Sequence, residues 1–173
     1  MKSILLAFSI LLLFACNGKN SRPVTDQEIA RAQKEMIEEN KRRHNDEMKT
    51  IRDFISKNNW PMQESPTGLQ FWVYEKGMGE QAQKDDYATI SYTISLLDGT
   101  ICYTASDAEP KEVHIEHDNI ESGLREALQL MHAGDRAKFI APSHLAFGFT
   151  GDSGKIPQNA SVIYDIHLIN LHP

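Results

Sequence analysis

The chain has 173 residues and a formal net charge of −6 at neutral pH, with 24% charged and 40% hydrophobic residues. That length, less a short leader, suits one compact domain with an appendage and not two full domains. Acid exceeds base and no basic patch is present to neutralise phosphates, so nucleic acid is not an expected partner.

Lys2 supplies a positive start, Ile4 to Phe14 is almost wholly apolar, and Leu13-Phe-Ala-Cys16 reads as a bacterial lipobox with a small residue before the cysteine. About eleven residues rising 1.5 Å each reach roughly 16 Å, far short of a hydrocarbon core of about 30 Å, so a transmembrane anchor is not expected. Residues 1–15 are expected to be a lipoprotein signal peptide cleaved before Cys16, whose thiol then carries the lipid; an ordinary cleaved signal with an incidental cysteine and a buried core helix are the alternatives. Residues 16–24, polar and broken by Gly18 and Pro23, read as a lipidated tether. Asn17 follows the cysteine with no acidic run, so the expected location is the bacterial cell envelope, anchored by lipid to the outer membrane and facing the periplasm.

Only two cysteines are present. If lipid consumes Cys16, Cys102 has no partner within the chain and is either buried like a small hydrophobe or free to pair with another chain.

Thr25 to Asn58 contains neither Gly nor Pro, and Asp26 is the expected cap of one long helix over residues 25–59. Met48, Ile51 and Ile55 share a face that can pack on a domain. The first half carries a thin apolar stripe of Ile29, Met36 and Ile37, interrupted by the polar run Asn40 to Asn45. It serves either as a solvated spacer or as one side of a helix pair.

Trp60-Pro61 and Ser65-Pro66 end that helix and open a domain over residues 66–173. Leu69, Phe71 and Val73 alternate with polar or amphipathic neighbours; Tyr87 to Leu97 alternates likewise; Asp98-Gly99 marks a turn into a strand from Ile101 to Tyr103. Val113 to Ile115 is a further short strand. Asp118 or Asn119 precedes apolar residues Ile120, Leu124, Leu128 and Met131 at helical spacing, with Gly134 as the stop. Strands at Arg136 to Ala141 and Ser161 to Leu171 complete an α+β fold, a sheet around a single short helix.

The chain has no Gly-rich phosphate loop, no Gly-x-Ser-x-Gly elbow and no His-Glu-x-x-His run. His114 and His117 lie three apart in a segment read as extended, which puts them on opposite faces and argues against a shared metal. Neither a metal nor another cofactor is expected.

The run Gly134-Asp-Arg-Ala-Lys-Phe-Ile-Ala-Pro-Ser-His-Leu-Ala-Phe-Gly148, with Lys155-Ile-Pro157, Val162-Ile-Tyr-Asp-Ile166 and Asp85 to Thr100, resembles the FK506-binding protein (FKBP) family of peptidyl-prolyl isomerases over roughly residues 66 to 173. The resemblance implies a strongly twisted antiparallel half-barrel wrapped around the short helix, acting on proline-containing polypeptides. It implies a peptide-binding set of Tyr92, Cys102, Tyr103, Ile120, Glu121 (through its backbone N–H), Leu124, Phe147, Ile156 and Tyr164. No residue is expected to act as acid, base or nucleophile. Periplasmic members that dimerise through N-terminal helices make a dimer one option for the long helix here. The lipobox and Glu121-Ser122-Gly123-Leu124 also resemble the FKBP-type lipoproteins associated with gliding motility in the Bacteroidetes.

Several positions depart from the family pattern. Leu124 stands where the best-known members carry a tryptophan floor, and Phe147 where tyrosine is usual, which removes a hydroxyl donor. The usual Phe-Asp pair reads Cys102-Tyr103, glycine becomes Ile94, and the acidic loop from Ala105 to Pro110 carries no phenylalanine near Lys111. Two functions are therefore weighed: an isomerase of reduced activity that assists folding of extracytoplasmic proteins, and a catalytically eroded chaperone or binding module in an envelope assembly.

Overall fold

The computed structural model describes residues 25–173, so the expected signal peptide and the whole tether, Cys16 included, lie outside the described residues. Helix α1 runs Asp26–Asn58, 33 residues. Its start is fixed by a reciprocal capping box: Thr25 Oγ1 accepts the Glu28 N–H at 3.3 Å while Glu28 Oε2 accepts the Thr25 N–H at 3.0 Å. The cap is Thr25 and not Asp26, which sits in the first turn and there complements the positive end of the helix dipole. Asn59 takes a left-handed φ of 54°, ending the helix before Pro61.

The described residues fall into two units, one ending at Glu39 and the other Asn40–Pro173. In the first, Ile29, Met36 and Ile37 are exposed. The second unit begins well before residue 66, because the second half of α1 carries part of its core.

The strands are β1 (Gln63–Glu64), β2 (Gln70–Glu75), β3 (Tyr87–Leu96), β4 (Ile101–Ala105), β5 (Lys111–His114), β6 (Arg136–Ala141) and β7 (Val162–His172), with helix α2 at Ser122–Gln129 and a 3₁₀ turn at Ser143–Leu145. They form one open antiparallel sheet in the order β1-β2-β6-β7-β3-β4. The outer edge of β3 is shared: β5 pairs with Tyr87 to Ile90, and β4 with Tyr92 to Ser95. Between β3 and β4, Asp98-Gly99 closes the turn, with Gly99 at φ 90° and Asp98 Oδ1 accepting the Thr100 N–H at 2.9 Å.

Side-chain alternation splits the core across the two faces of the sheet. On one face, Ile90, Ile94, Phe139, Tyr164, Ile166 and Leu168 pack against Leu124, Ala127 and Leu128 of α2. On the other, Ile140 and Ile163 pack against Met48 and Ile51 of α1, with Phe54, Ile55 and Trp60 at the margin. Each large side chain fully buried here contributes about 1.5 to 3 kcal/mol. A polar clasp supports this docking: the Glu47 carboxylate accepts from Ser143 N at 2.6 Å, Ser143 Oγ at 3.0 Å and Ser161 Oγ at 2.6 Å.

Three local expectations are corrected. Helix α2 spans Ser122–Gln129 and not Ile120 to Met131; its cap is Glu121, which makes no side-chain capping bond, so neither Asp118 nor Asn119 begins it. Gly134 does not stop the helix. At φ 91° it forms the turn into β6, where Asp135 Oδ2 accepts the His132 N–H at 2.7 Å. His114 and His117 are not on opposite faces, because β5 ends at His114 and Glu116 turns the chain at φ 70°. The two rings therefore stack at 4.0 Å.

Candidate functional site

Residues Ile90, Tyr92 and Ile94 of β3 sit two apart and so face the α2 side of the sheet together. Ile94 pairs with Tyr164 of β7 on one side and Tyr103 of β4 on the other. Helix α2 approaches this face closely because Gly123 has no side chain: a Cβ there would lie 2.7 Å from the Leu145 carbonyl oxygen. The start of α2 and the segment after the 3₁₀ turn thus enclose a depression of about 310 Å³. Its apolar surface comes from Ile90, Tyr92, Ile94, Val113, Ile120, Leu124, Phe147 and Tyr164, and its polar rim from Tyr103, Lys111, Asn119, Glu121 and Asp152.

Tyr92, Tyr103, Ile120, Glu121, Leu124, Phe147 and Tyr164 are thereby brought together. Cys102 and Ile156 are not. Cys102 is the extra residue of a bulge in β4, since Ile94 pairs with Tyr103 and Ser95 with Ile101. It is 1% exposed, and its Sγ lies 3.8 Å from the Thr100 carbonyl and 3.7 Å from that of Lys155, so the short thiol ends in the core. Burial pushes its pKa up, which makes it a poor nucleophile. Ile156 is also core, 2% exposed beneath the loop that carries Asp152.

The depression also holds residues outside the expected set. Ile90, Ile94 and Val113 had a signal, the strand alternation that already pointed to Tyr92. Asp152 had none. Its Oδ2 accepts the Tyr103 hydroxyl, and its Oδ1 accepts the Gly154 and Ile156 N–H groups at 2.8 Å each. The Tyr103 bond holds the carboxyl below the usual range, and the same bond raises the phenol. Lys155 Nζ lies 5.3 Å from the Tyr103 ring centroid.

At the base, Tyr164 is fully buried and its hydroxyl completes no well-formed hydrogen bond among the described residues, although the Glu121 carboxylate acts on it. Burial, and then the charge of Glu121, push this phenol well above its ordinary pKa. The Glu121 backbone N–H also has no partner among the described residues, and the neighbouring Ile120 carbonyl accepts from Arg125 Nη2 at 3.3 Å. The arrangement is an apolar basin with a few fixed polar groups at its mouth, suited to hold an uncharged ring and orient the chain flanking it.

Residues 79–169 match the family described as FKBP-type peptidyl-prolyl cis-trans isomerase. The chain is 35% identical over 106 residues to the outer membrane protein MIP of Legionella longbeachae, covering 61% of this chain and 45% of that one. It is 34% identical over 105 residues to a probable FKBP-type peptidyl-prolyl cis-trans isomerase FkpA of Neisseria meningitidis serogroup B, covering 61% and 38%. The chain thus spans less than half the length of either relative. Among solved structures, FkpA from Escherichia coli superposes with a TM-score of 0.62 at 24% identity, covering 87% of this chain and 74% of that one. A peptidyl-prolyl cis-trans isomerase from Pseudomonas syringae pv. tomato gives 0.64 at 24%, covering 75% and 96%. These likenesses concern the fold.

Proposed function

The chain belongs to the FKBP-type peptidyl-prolyl cis-trans isomerase family, and we propose on that footing that it accelerates rotation about peptide bonds preceding proline in extracytoplasmic polypeptides. The barrier, roughly 18 to 20 kcal/mol, is loss of amide resonance, so no nucleophile or proton shuttle is needed. A site that binds the twisted amide better than the planar one is sufficient.

The observation that carries this reading is the depression itself, an apolar basin whose base is Leu124 and Tyr164 and whose walls are Tyr92, Ile120 and Phe147. The proline ring occupies the basin. The unpaired Glu121 N–H holds a flanking carbonyl, and Tyr103 with Asp152 bounds the peptide on the opposite rim. Activity is expected to be reduced, with a preference for an apolar residue before proline, because Leu124 and Phe147 supply less aromatic area or fewer donors than the family pattern.

The Leu13-to-Cys16 lipobox supports lipid anchoring at Cys16, and the name of the Legionella relative supports the outer membrane as its location. The exposed Ile29, Met36 and Ile37 support a spacer role for the first half of α1.

The test is cis-to-trans isomerisation of peptides with varied residues before proline. Acceleration over buffer, abolished in Leu124→Asp while the fold persists, is expected, because a carboxylate there opposes burial of the ring. A second reading, a peptide-binding chaperone, draws on the absence of Cys102 and Ile156 from the depression. It takes precedence if no peptide is accelerated, yet aggregation of an unfolded client is suppressed and Leu124→Asp removes that suppression.

A further inference from the structure

Away from the basin, the second half of α1 meets the 3₁₀ turn in a depression of about 290 Å³ whose lining includes Arg43, His44, Glu47, Ser143 and His144. His44 and Glu47 are three apart on the helix and so share a face, and His144 projects toward them from the turn. One nitrogen from each histidine and one carboxylate oxygen of Glu47 all lie within 4.8 Å of one another. The two imidazole centroids are 5.5 Å apart at an interplanar angle of 67°.

From this geometry we propose a divalent transition-metal site at His44, Glu47 and His144, of the class that takes Zn²⁺. Two imidazoles and a carboxylate suit that ion, which prefers His nitrogens at about 2.0 to 2.1 Å and carboxylate oxygens at about 2.0 to 2.2 Å in tetrahedral geometry. Tetrahedral angles then require ligand atoms about 3.3 Å apart, within reach of small rotations of the two exposed histidine side chains. A fourth position is left for water or another donor.

The surroundings orient the ligands as metal sites require. His144 Nε2 lies 3.3 Å from the Thr67 carbonyl oxygen. Donation there selects the tautomer whose free lone pair is on Nδ1. Glu47 is fixed by three donors, two on Oε1 and one on Oε2, which leaves Oε2 a vacant lone pair. The ligands thus stand on elements already held by the apolar contact of Met48 and Ile51 with the sheet. Arg43 lines the same depression and opposes a dication, which limits affinity without removing a ligand.

An ion bound there would tie α1 to the turn that leads directly into Phe147, the wall of the apolar basin. The stacked pair His114 and His117 is the natural internal control, since it also offers imidazoles but has, among the described residues, no third ligand in the same arrangement.

The experiment is calorimetric titration of ZnCl₂ into the detergent-solubilised full-length chain, with His44→Ala, His144→Ala and the double variant His114→Ala/His117→Ala alongside. One Zn²⁺ per chain is expected, with binding weakened at least about tenfold in either His44→Ala or His144→Ala and unchanged in the control. His44→Ala removes an exposed side chain, so equal melting temperatures in EDTA for it and the wild type separate lost binding from lost folding. Absence of binding, or binding kept in His44→Ala but lost in the His114→Ala/His117→Ala control, overturns the proposal. Isomerase activity plays no part in that outcome.

Discussion

The Tyr103 hydroxyl donates to the Asp152 carboxylate across the rim of the apolar basin, linking β4 to the loop before Ile156. The family pattern has an acid at the Tyr103 position. Here the acid comes from the opposite loop and the phenol reaches it. If that linkage positions bound peptide, Tyr103→Phe and Asp152→Asn should each lower kcat/KM by about three- to tenfold, and the double variant should be no worse than the poorer single one. Additive losses in a proline-peptide assay would show that the two side chains act separately.

Cys102 occupies a core position, so placing the family's aromatic there does not rebuild a wall of the basin. Cys102→Phe inserts a ring where the thiol already packs between the Thr100 and Lys155 carbonyls. The variant should lose about 1 to 3 kcal/mol of stability, read by urea unfolding, with no gain in activity. A more active, equally stable variant would mean that β4 can shift to open the wall.

The buried Tyr164 hydroxyl completes no well-formed hydrogen bond among the described residues. Tyr164→Phe removes an unsatisfied group while keeping the ring, and should raise stability by about 1 kcal/mol. A loss of stability would show that the hydroxyl is satisfied, with Glu121 the nearest candidate on electrostatic grounds.

How far the sequence discloses this molecule depends on whether a signal is local. The strand periods of β3 and β6 are written in neighbouring residues; so is the Thr25 and Glu28 capping box, which the reading of Asp26 as cap passed over. Helix α2 reads too long because Ile120 and Met131 are apolar for tertiary reasons, and its Glu121 start lacks a side-chain cap. The site divides in the same way. Tyr92, Leu124 and Phe147 follow from pattern and family likeness. Cys102 is displaced by a bulge that no propensity marks, and Asp152 joins the rim only because its loop folds back to Tyr103.

Asp107 connects the loop after β4 to the sheet, accepting from Ser91, from Arg136 Nη2 at 3.0 Å and from His167 Nδ1 at 3.1 Å. These bonds, that of Ser91 foremost, hold its carboxyl well below the ordinary range. A depressed folded-state pKa stabilises above the unfolded value of about 3.9, and that contribution is lost as pH falls toward the folded value. The melting-temperature difference between wild type and Asp107→Asn should therefore shrink from about pH 5 to about pH 3. A difference that grows on acidification would contradict this assignment.

Ile51 is fully buried between α1 and the sheet, whereas Met36 is 63% exposed. Ile51→Asp should cost about 3 to 5 kcal/mol, combining a lost apolar contact with a buried carboxylate. Met36→Asp should stay within about 0.5 kcal/mol of wild type. Equal effects in thermal melts would mean that Met36 is covered in solution.

Under the proposed function, the sharing of β3 between β4 and β5 bears on a hazard that unfolded chains bring, which is being used as a template. An open sheet invites a foreign strand to add along its unpaired edge. One margin here is β1, two residues long and covering only Gln70 and Phe71 of β2; the other is broken into two short strands, β4 with its bulge and β5 with the charged Lys111 and Glu112. A client segment laid along the margin of β4 and β5 runs out of backbone partners within a few residues. That margin therefore resists becoming a nucleus for aggregation of the chains proposed as its clients.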